Sequence, residues 1–195
     1  MNKKIIGLIL GAISVFLTVK FSKKINLNPQ LEVGQKMDSL NGVFVYFNGG
    51  VSNVSGRNTS SDGYNIGLKW QCVEFVKRYY FEKLNHKMPD ALGNAKDFFD
   101  PLLADSTLNV KRNLMQFKNG SVSKPKVEDL LIYDGTLTNS YGHVSIVSYI
   151  GEREIEIIQQ NPGPFGEPRE KFAFTFLNGK WVIGNDRILG WLRKM

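Results

Sequence analysis

Cysteine is nearly missing from these 195 residues: Cys72 is the only one. An internal disulfide and a cysteine-based zinc site are therefore ruled out. Histidine is almost as scarce, present only at His86 and His143, so a histidine-rich metal site is ruled out too. No metal and no other cofactor is expected. The first 24 residues hold five lysines and no acid, and the rest carries 20 basic and 18 acidic residues. The net charge of +7 is thus largely a property of the N-terminal flank. A nucleic-acid partner is not expected, because phosphate recognition needs Lys and Arg clustered on one face. There is no internal repeat and no long low-complexity tract.

What is present begins with an apolar run. Met1 to Lys4 is a short basic start, Ile5 to Val19 is broken only by Gly, Ser and Thr, and Lys20, Lys23 and Lys24 close it. Residues 1–24 read as an export signal or an uncleaved signal anchor, which implies a membrane-anchored or exported protein of the cell envelope. The run is short against the roughly 17–25 residues of a spanning helix, and lysines on both sides leave its orientation open. Residues 25–40 read as a polar linker. Residues 41–195 suffice for one domain with a real core.

Within that domain, Val43 to Phe47 alternates like a short strand, and Asn48 to Asn65 is a long loop rich in Gly, Ser and Asn. After Trp70 the apolar residues fall at Cys72, Phe75, Val76, Tyr79, Tyr80 and Leu84, the spacing of a helix with one buried face. This helix should run to about Asn85, with His86 a surface residue just past it. Asn94 to Ala104 resembles a second helix interrupted by Pro101. The remainder has strand period: Asp129–Tyr133, Gly142–Ile150, Glu154–Gln160, and a hairpin of Phe172–Phe176 with Lys180–Ile183 about Asn178-Gly179. Helices followed by an antiparallel sheet is the α+β pattern.

Two residues invite chemistry. Cys72 opens its helix beside unpaired backbone N–H groups and the positive end of the macrodipole, which favour a nucleophilic thiolate. A lone cysteine is more commonly a small buried hydrophobe, and a catalytic one needs a histidine. His143 opens a strand. If Ile150 pairs with Glu154 across a three-residue turn, His143 faces Asn161 and Ser145 faces Gln159, and all four side chains point one way. A register one residue off puts Gln160 there instead. An amide oxygen accepting from Nδ1–H would leave Nε2 free for the thiol, and either Gln159 or Asn161 could supply it. Taken alone, His143 is more often a structural sheet histidine than a catalytic base.

Together, Gly67-x-x-Trp70-Gln71-Cys72-Val73-Glu74-Phe75, Gly142-His143-Val144 and Gln159-Gln160-Asn161 resemble the CHAP family of cysteine, histidine-dependent amidohydrolases/peptidases. The likeness is greatest to the amidase domains of glutathionylspermidine synthetase/amidase and trypanothione synthetase, and it runs from about Asn41 to Trp191. It implies a papain-like α+β fold in which the cysteine opens a helix packed on an antiparallel sheet carrying the histidine. It implies Cys72 as nucleophile, His143 as base and then acid, Gln159 at the family's third catalytic position, Gln71 as oxyanion donor and Asn161 as orienting residue. Trp70, Lys77 and Arg78 are the implied substrate contacts.

Two departures matter. Gln159 stands where the amidase relatives carry an acid, so no charge is offered there to an imidazolium. Lys77 stands where they carry arginine and lacks its bidentate fork. The expected activity is hydrolysis of an amide through a thioester, in peptidoglycan peptides if the protein is exported. A glutathionyl-polyamine amide is the alternative, and a peptide- or glycan-binding module that has lost catalysis is the third reading.

Overall fold

The computed structural model describes residues 2–195. Met1, the first residue of the expected 1–24 segment, lies outside them. The apolar run forms α1 (Lys3–Ser22), whose Leu8, Leu10, Val15 and Phe16 stay exposed. Among the described residues no helix is long and apolar enough to cross a membrane, so the spanning anchor is not supported. The reason is length: Ile5 to Val19 rises about 22 Å at 1.5 Å per residue, against about 30 Å of hydrocarbon.

The expected linker is ordered in part. Lys36–Leu40 forms β1, paired antiparallel with β2 (Val43–Tyr46) through the turn at Asn41-Gly42. A small ribbon of β3 (Arg57–Thr59) and β4 (Asn65–Leu68) follows. It leads into α2 (Cys72–Leu84), entered from an extended Gln71 and closed by left-handed Asn85. The expected second helix shrinks to one turn, Lys96–Phe98. Pro101 disfavours helical backbone in the residue before it, and Phe99 is already extended.

The frame is an eight-stranded antiparallel sheet of β5 (Thr107–Asn109), β6 (Leu114–Lys118), β7 (Leu130–Tyr133), β8 (His143–Ile150), β9 (Glu154–Ile158), β10 (Arg169–Leu177), β11 (Lys180–Ile183) and β12 (Ile188–Arg193). Its order is β11-β10-β9-β8-β7-β12-β6-β5. One face packs against α2, where Phe75, Val76, Tyr79 and Tyr80 meet Leu130, Ile132, Val144 and Ile146. Leu131, Ile157, Phe174 and Trp191 fill the other face. Both faces are covered, so β7 is buried along its whole length and reads as an unbroken apolar run. This is the expected α+β arrangement, with α2 as the single helix on the sheet.

The hairpin carrying His143 reaches the expected register by an unexpected route. Ile150 pairs with Ile155, not Glu154, and an irregularity at Ser148 shifts the ladder back, so that Ile146 faces Ile158. The two one-residue offsets cancel. Continued toward the strand end, the ladder sets Ser145 against Gln159.

Candidate active site

Cys72 and His143 come to the same end of β8. The backbone N–H of Val144, the residue after His143, reaches the Cys72 sulfur, as does that of Val73 in the first helical turn. These amides favour the thiolate, but burial works harder in the other direction and pushes the thiol up to about 11. Burial likewise holds His143 down to about 4, against the hydrogen bond it makes to Gln159. Part of each side chain touches solvent, yet both sit deep enough for desolvation to dominate. The resting pair is therefore thiol and neutral imidazole, not the thiolate expected from the helix start.

Gln159 decides the imidazole tautomer. Its Oε1 lies 2.9 Å from His143 Nε2, and its Nε2 donates to Glu167 O at 3.1 Å and Glu170 Oε2 at 3.4 Å. Two acceptors fix the NH2 end of the amide, so the oxygen must face the ring. A ring nitrogen facing an acceptor carries the proton. His143 is thus protonated on Nε2 with Nδ1 bare, the reverse of the tautomer expected from the sequence. Tyr133 lies beside the ring, with centroids 5.6 Å apart.

Asn161 does not touch the imidazole. It donates to Gln71 Oε1 and Val51 O, both at 2.8 Å. The Gln71 amide donates in turn to Val51 O and Asn53 O, so both its donors face the loop before the site. A cleft of about 810 Å³ is lined by His143, Gln159 and Tyr133, but not by Cys72. Ser22, Lys23, Ile25 and Leu27 also line it. They are held there by Lys23 Nζ on Thr138 O and by Ser52 N–H on Lys23 O.

The three expected substrate contacts lie elsewhere. Trp70 packs on Tyr46 with centroids 4.2 Å apart. Lys77 is buried and donates to Asn65 O and Ala91 O. Arg78 is buried against Glu74 at 2.7 Å and donates to Phe44 O. None of the three lines the cleft. The expected surface position of His86 is also corrected: it is 6 % exposed, 2.9 Å from Arg112 O, with its ring edge-on to Tyr80.

Sequence reasoning missed Gln160, Glu170 and Arg187. Gln160 is fully buried; its Oε1 accepts from Tyr46 N–H, and its Nε2 donates to Gln71 O and Glu74 Oε2. The one-residue register alternative and its place in the Gln159-Gln160-Asn161 run were the signals for it. Glu170 and Arg187 line the cleft, which follows from strand order and not from any local pattern.

Comparison with known proteins gives likenesses of three kinds. The chain is 31% identical over 138 residues to the bifunctional glutathionylspermidine synthetase/amidase of Escherichia coli (strain K12), covering 65% of this chain and 22% of that protein. It is 29% identical over 107 residues to trypanothione synthetase of Crithidia fasciculata, covering 55% and 16%. Glutathionylspermidine synthase of the same organism is 28% identical over 139 residues, covering 65% and 19%. The chain thus spans about a fifth of the length of these relatives. Among solved structures, the crystal structure of Ly7917 aligns at a TM-score of 0.36 and 14% identity, over 63% of this chain and 53% of that one. A family model described as CHAP domain matches residues 62–161, from the loop before Cys72 through Asn161. That match takes in half of the sequence, and by it the chain belongs to the CHAP domain family.

Proposed function

We propose that the protein is a cysteine-dependent amidohydrolase/peptidase, with residues 41–195 as its working domain and Cys72 as its nucleophile. The observation that carries this reading is the constellation at the end of β8: the Cys72 sulfur under the Val144 amide, and His143 held by Gln159 with Nδ1 bare. In the proposed reaction Nδ1 takes the Cys72 proton as the sulfur attacks the amide carbonyl. The imidazolium returns that proton to the leaving amine, which departs as the thioester forms. Water then attacks the thioester, with His143 again the base, and the acid is released.

The resting pair is neutral, so proton transfer accompanies attack. The first N–H groups of α2 are free of helical partners and, with Gln71 once it releases the Val51 or Asn53 carbonyl, are the proposed oxyanion donors. Neutral His143 is the active form, so activity is present above about pH 4 and is lost as pH falls through that value.

The proposed substrate is a peptidoglycan stem or cross-bridge amide, met outside the cytoplasm; the lysine-flanked apolar run at the N-terminus supports export. A glutathionyl-polyamine amide is the second reading, favoured by the likeness to the E. coli enzyme. The test incubates the full chain, and Cys72→Ala and His143→Ala variants, with muropeptides and with glutathionylspermidine. Cys72-dependent release of wall peptides supports the first substrate, and release of spermidine supports the second. Binding of either without turnover would replace the enzyme reading with a binding module.

A further inference from the structure

Two arginines line the cleft, Arg169 and Arg187, and only the first is paired with acids. Arg78 is paired with Glu74, Arg193 with Asp129, and Arg169 with both Asp38 and Glu156. Buried Arg112 spreads both Nη groups over the carbonyls of Asp90, Leu92 and Asp97, and only its Nε has no partner. Arg187 lines the cleft with His143 and, among the described residues, has no carboxylate partner. Of its five N–H donors, Nη2 donates to Asp134 O at 3.0 Å. Its Nε is shielded from solvent and has no partner at all. A half-desolvated guanidinium left this open is the exception in folded proteins and calls for an acceptor.

The backbone beneath Arg187 is fixed. Its N–H donates to Asn185 Oδ1 and its carbonyl accepts from Asp134 N–H. The neighbouring residue Ile188 pairs with Tyr133, and Tyr133 pairs with His143. Three adjacent strands therefore set Arg187 and His143 roughly 10 Å apart at the backbone, two strand spacings. Glu167, Arg169 and Glu170 line the cleft on the β10 side, with Arg169 committed to Asp38 and Glu156, and Gln159 Nε2 donates to Glu170. Lys77, the lysine implied as a substrate contact, is buried and does not line the cleft.

We propose that Arg187 is a carboxylate subsite, which selects amide substrates bearing a free carboxylate within one or two residues of the scissile bond and orients that carboxylate toward β12, away from Glu170. The distance follows from about 3.5 Å per extended residue. This inference rests on the cleft being the amidohydrolase site. The charge of Arg187 is also among the causes that depress His143, so a bound carboxylate would make the base stronger as it docks.

The single cysteine supplies a test that needs no substrate. Cys72 in the full chain is alkylated with iodoacetate and with iodoacetamide, which differ by one carboxylate, and the ratio of the two rates is compared among wild type, Arg187→Gln and Arg187→Lys. Loss of a charge-assisted hydrogen bond should lower the iodoacetate preference about tenfold in Arg187→Gln, with Arg187→Lys between the two. A ratio unchanged by Arg187→Gln would overturn the subsite. If neither reagent modifies Cys72, the access required by the amidohydrolase reading is what fails. The subsite is then judged by the Arg187 Nε–H resonance: movement with N-acetylglycine but not with N-acetylglycinamide supports it, and no movement with either overturns it.

Discussion

Gln159 and Gln160 are neighbours with the same side chain, both almost fully buried, and they do different work. Gln159 turns to the cleft, where it holds His143 and is itself fixed by Glu167 and Glu170. Gln160 turns inward and clasps three elements, with Tyr46 on β2, Gln71 before α2 and Glu74 within it. Alternation along an extended segment is enough to produce this split. One amide aligns the proposed base, and the other fixes the start of the helix that carries the thiol. Their common neighbour Asn161 then ties Gln71 to the loop at Val51. A family signature read as one catalytic string is therefore two structural devices interleaved residue by residue.

The comparison is sharpened first on its interior side. The Glu74 carboxylate accepts from Arg78, Asn58 and Gln160 and is fully buried. Glu74→Ala would leave the Arg78 cation buried and unpaired, a loss of about 3–5 kcal/mol in unfolding free energy, read by urea denaturation. Gln160→Ala should cost about 1–3 kcal/mol through the unsatisfied groups it leaves. Gln159→Ala should cost less stability than Gln160→Ala, because its partners stand at the cleft and water can replace it. It should lower kcat/KM roughly tenfold to a hundredfold, a fraction of the 100- to 10,000-fold supplied by a positioned base. Equal stability losses at positions 159 and 160, with activity per folded molecule unchanged in both, would break the distinction.

What was legible in the sequence follows the range of the forces involved. The extent of α2 was readable because its apolar stripe and the left-handed Asn85 that ends it are local features. The Arg78–Glu74 pair stands at i,i+4 spacing, and its effect on the placement of Arg78 could have been foreseen. The face shared by His143 and Gln159 was reached correctly although the turn was wrong, since the Ser148 irregularity undid the error. Where partners are distant in sequence, local reading failed. His86 is buried because Arg112 stands over it, and Lys77 turns inward because Asn65 and Ala91 offer carbonyls there. Arg187 reaches the cleft only because β12 inserts beside β7. The thiolate expected at the helix start fails on magnitude: three backbone amides favour it, and burial outweighs them.

The smallest change is the most informative one. Gln159→Glu restores the acid of the amidase relatives without altering side-chain length. A carboxylate on His143 Nε2 favours the imidazolium, so the His143 pKa should rise from about 4 toward its ordinary value. The acid limb of kcat/KM then moves to higher pH, because protonated His143 is no base. Stability moves in the opposite sense at low pH. In the wild type the unfolded chain takes up the His143 proton near pH 6.5 while the folded chain resists until about 4. This contribution to stability is lost as pH falls across that window, and Gln159→Glu should narrow the loss. The new carboxylate meets a competitor, since the atom it replaces lies 3.4 Å from Glu170 Oε2, and two adjacent carboxylates share a proton. The single variant should therefore shift the limb only in part, and adding Glu170→Gln should complete the shift. If the limb stays near pH 4 in both, His143 is not the base that titrates, and the division of labour between Gln159 and Gln160 is one of structure alone.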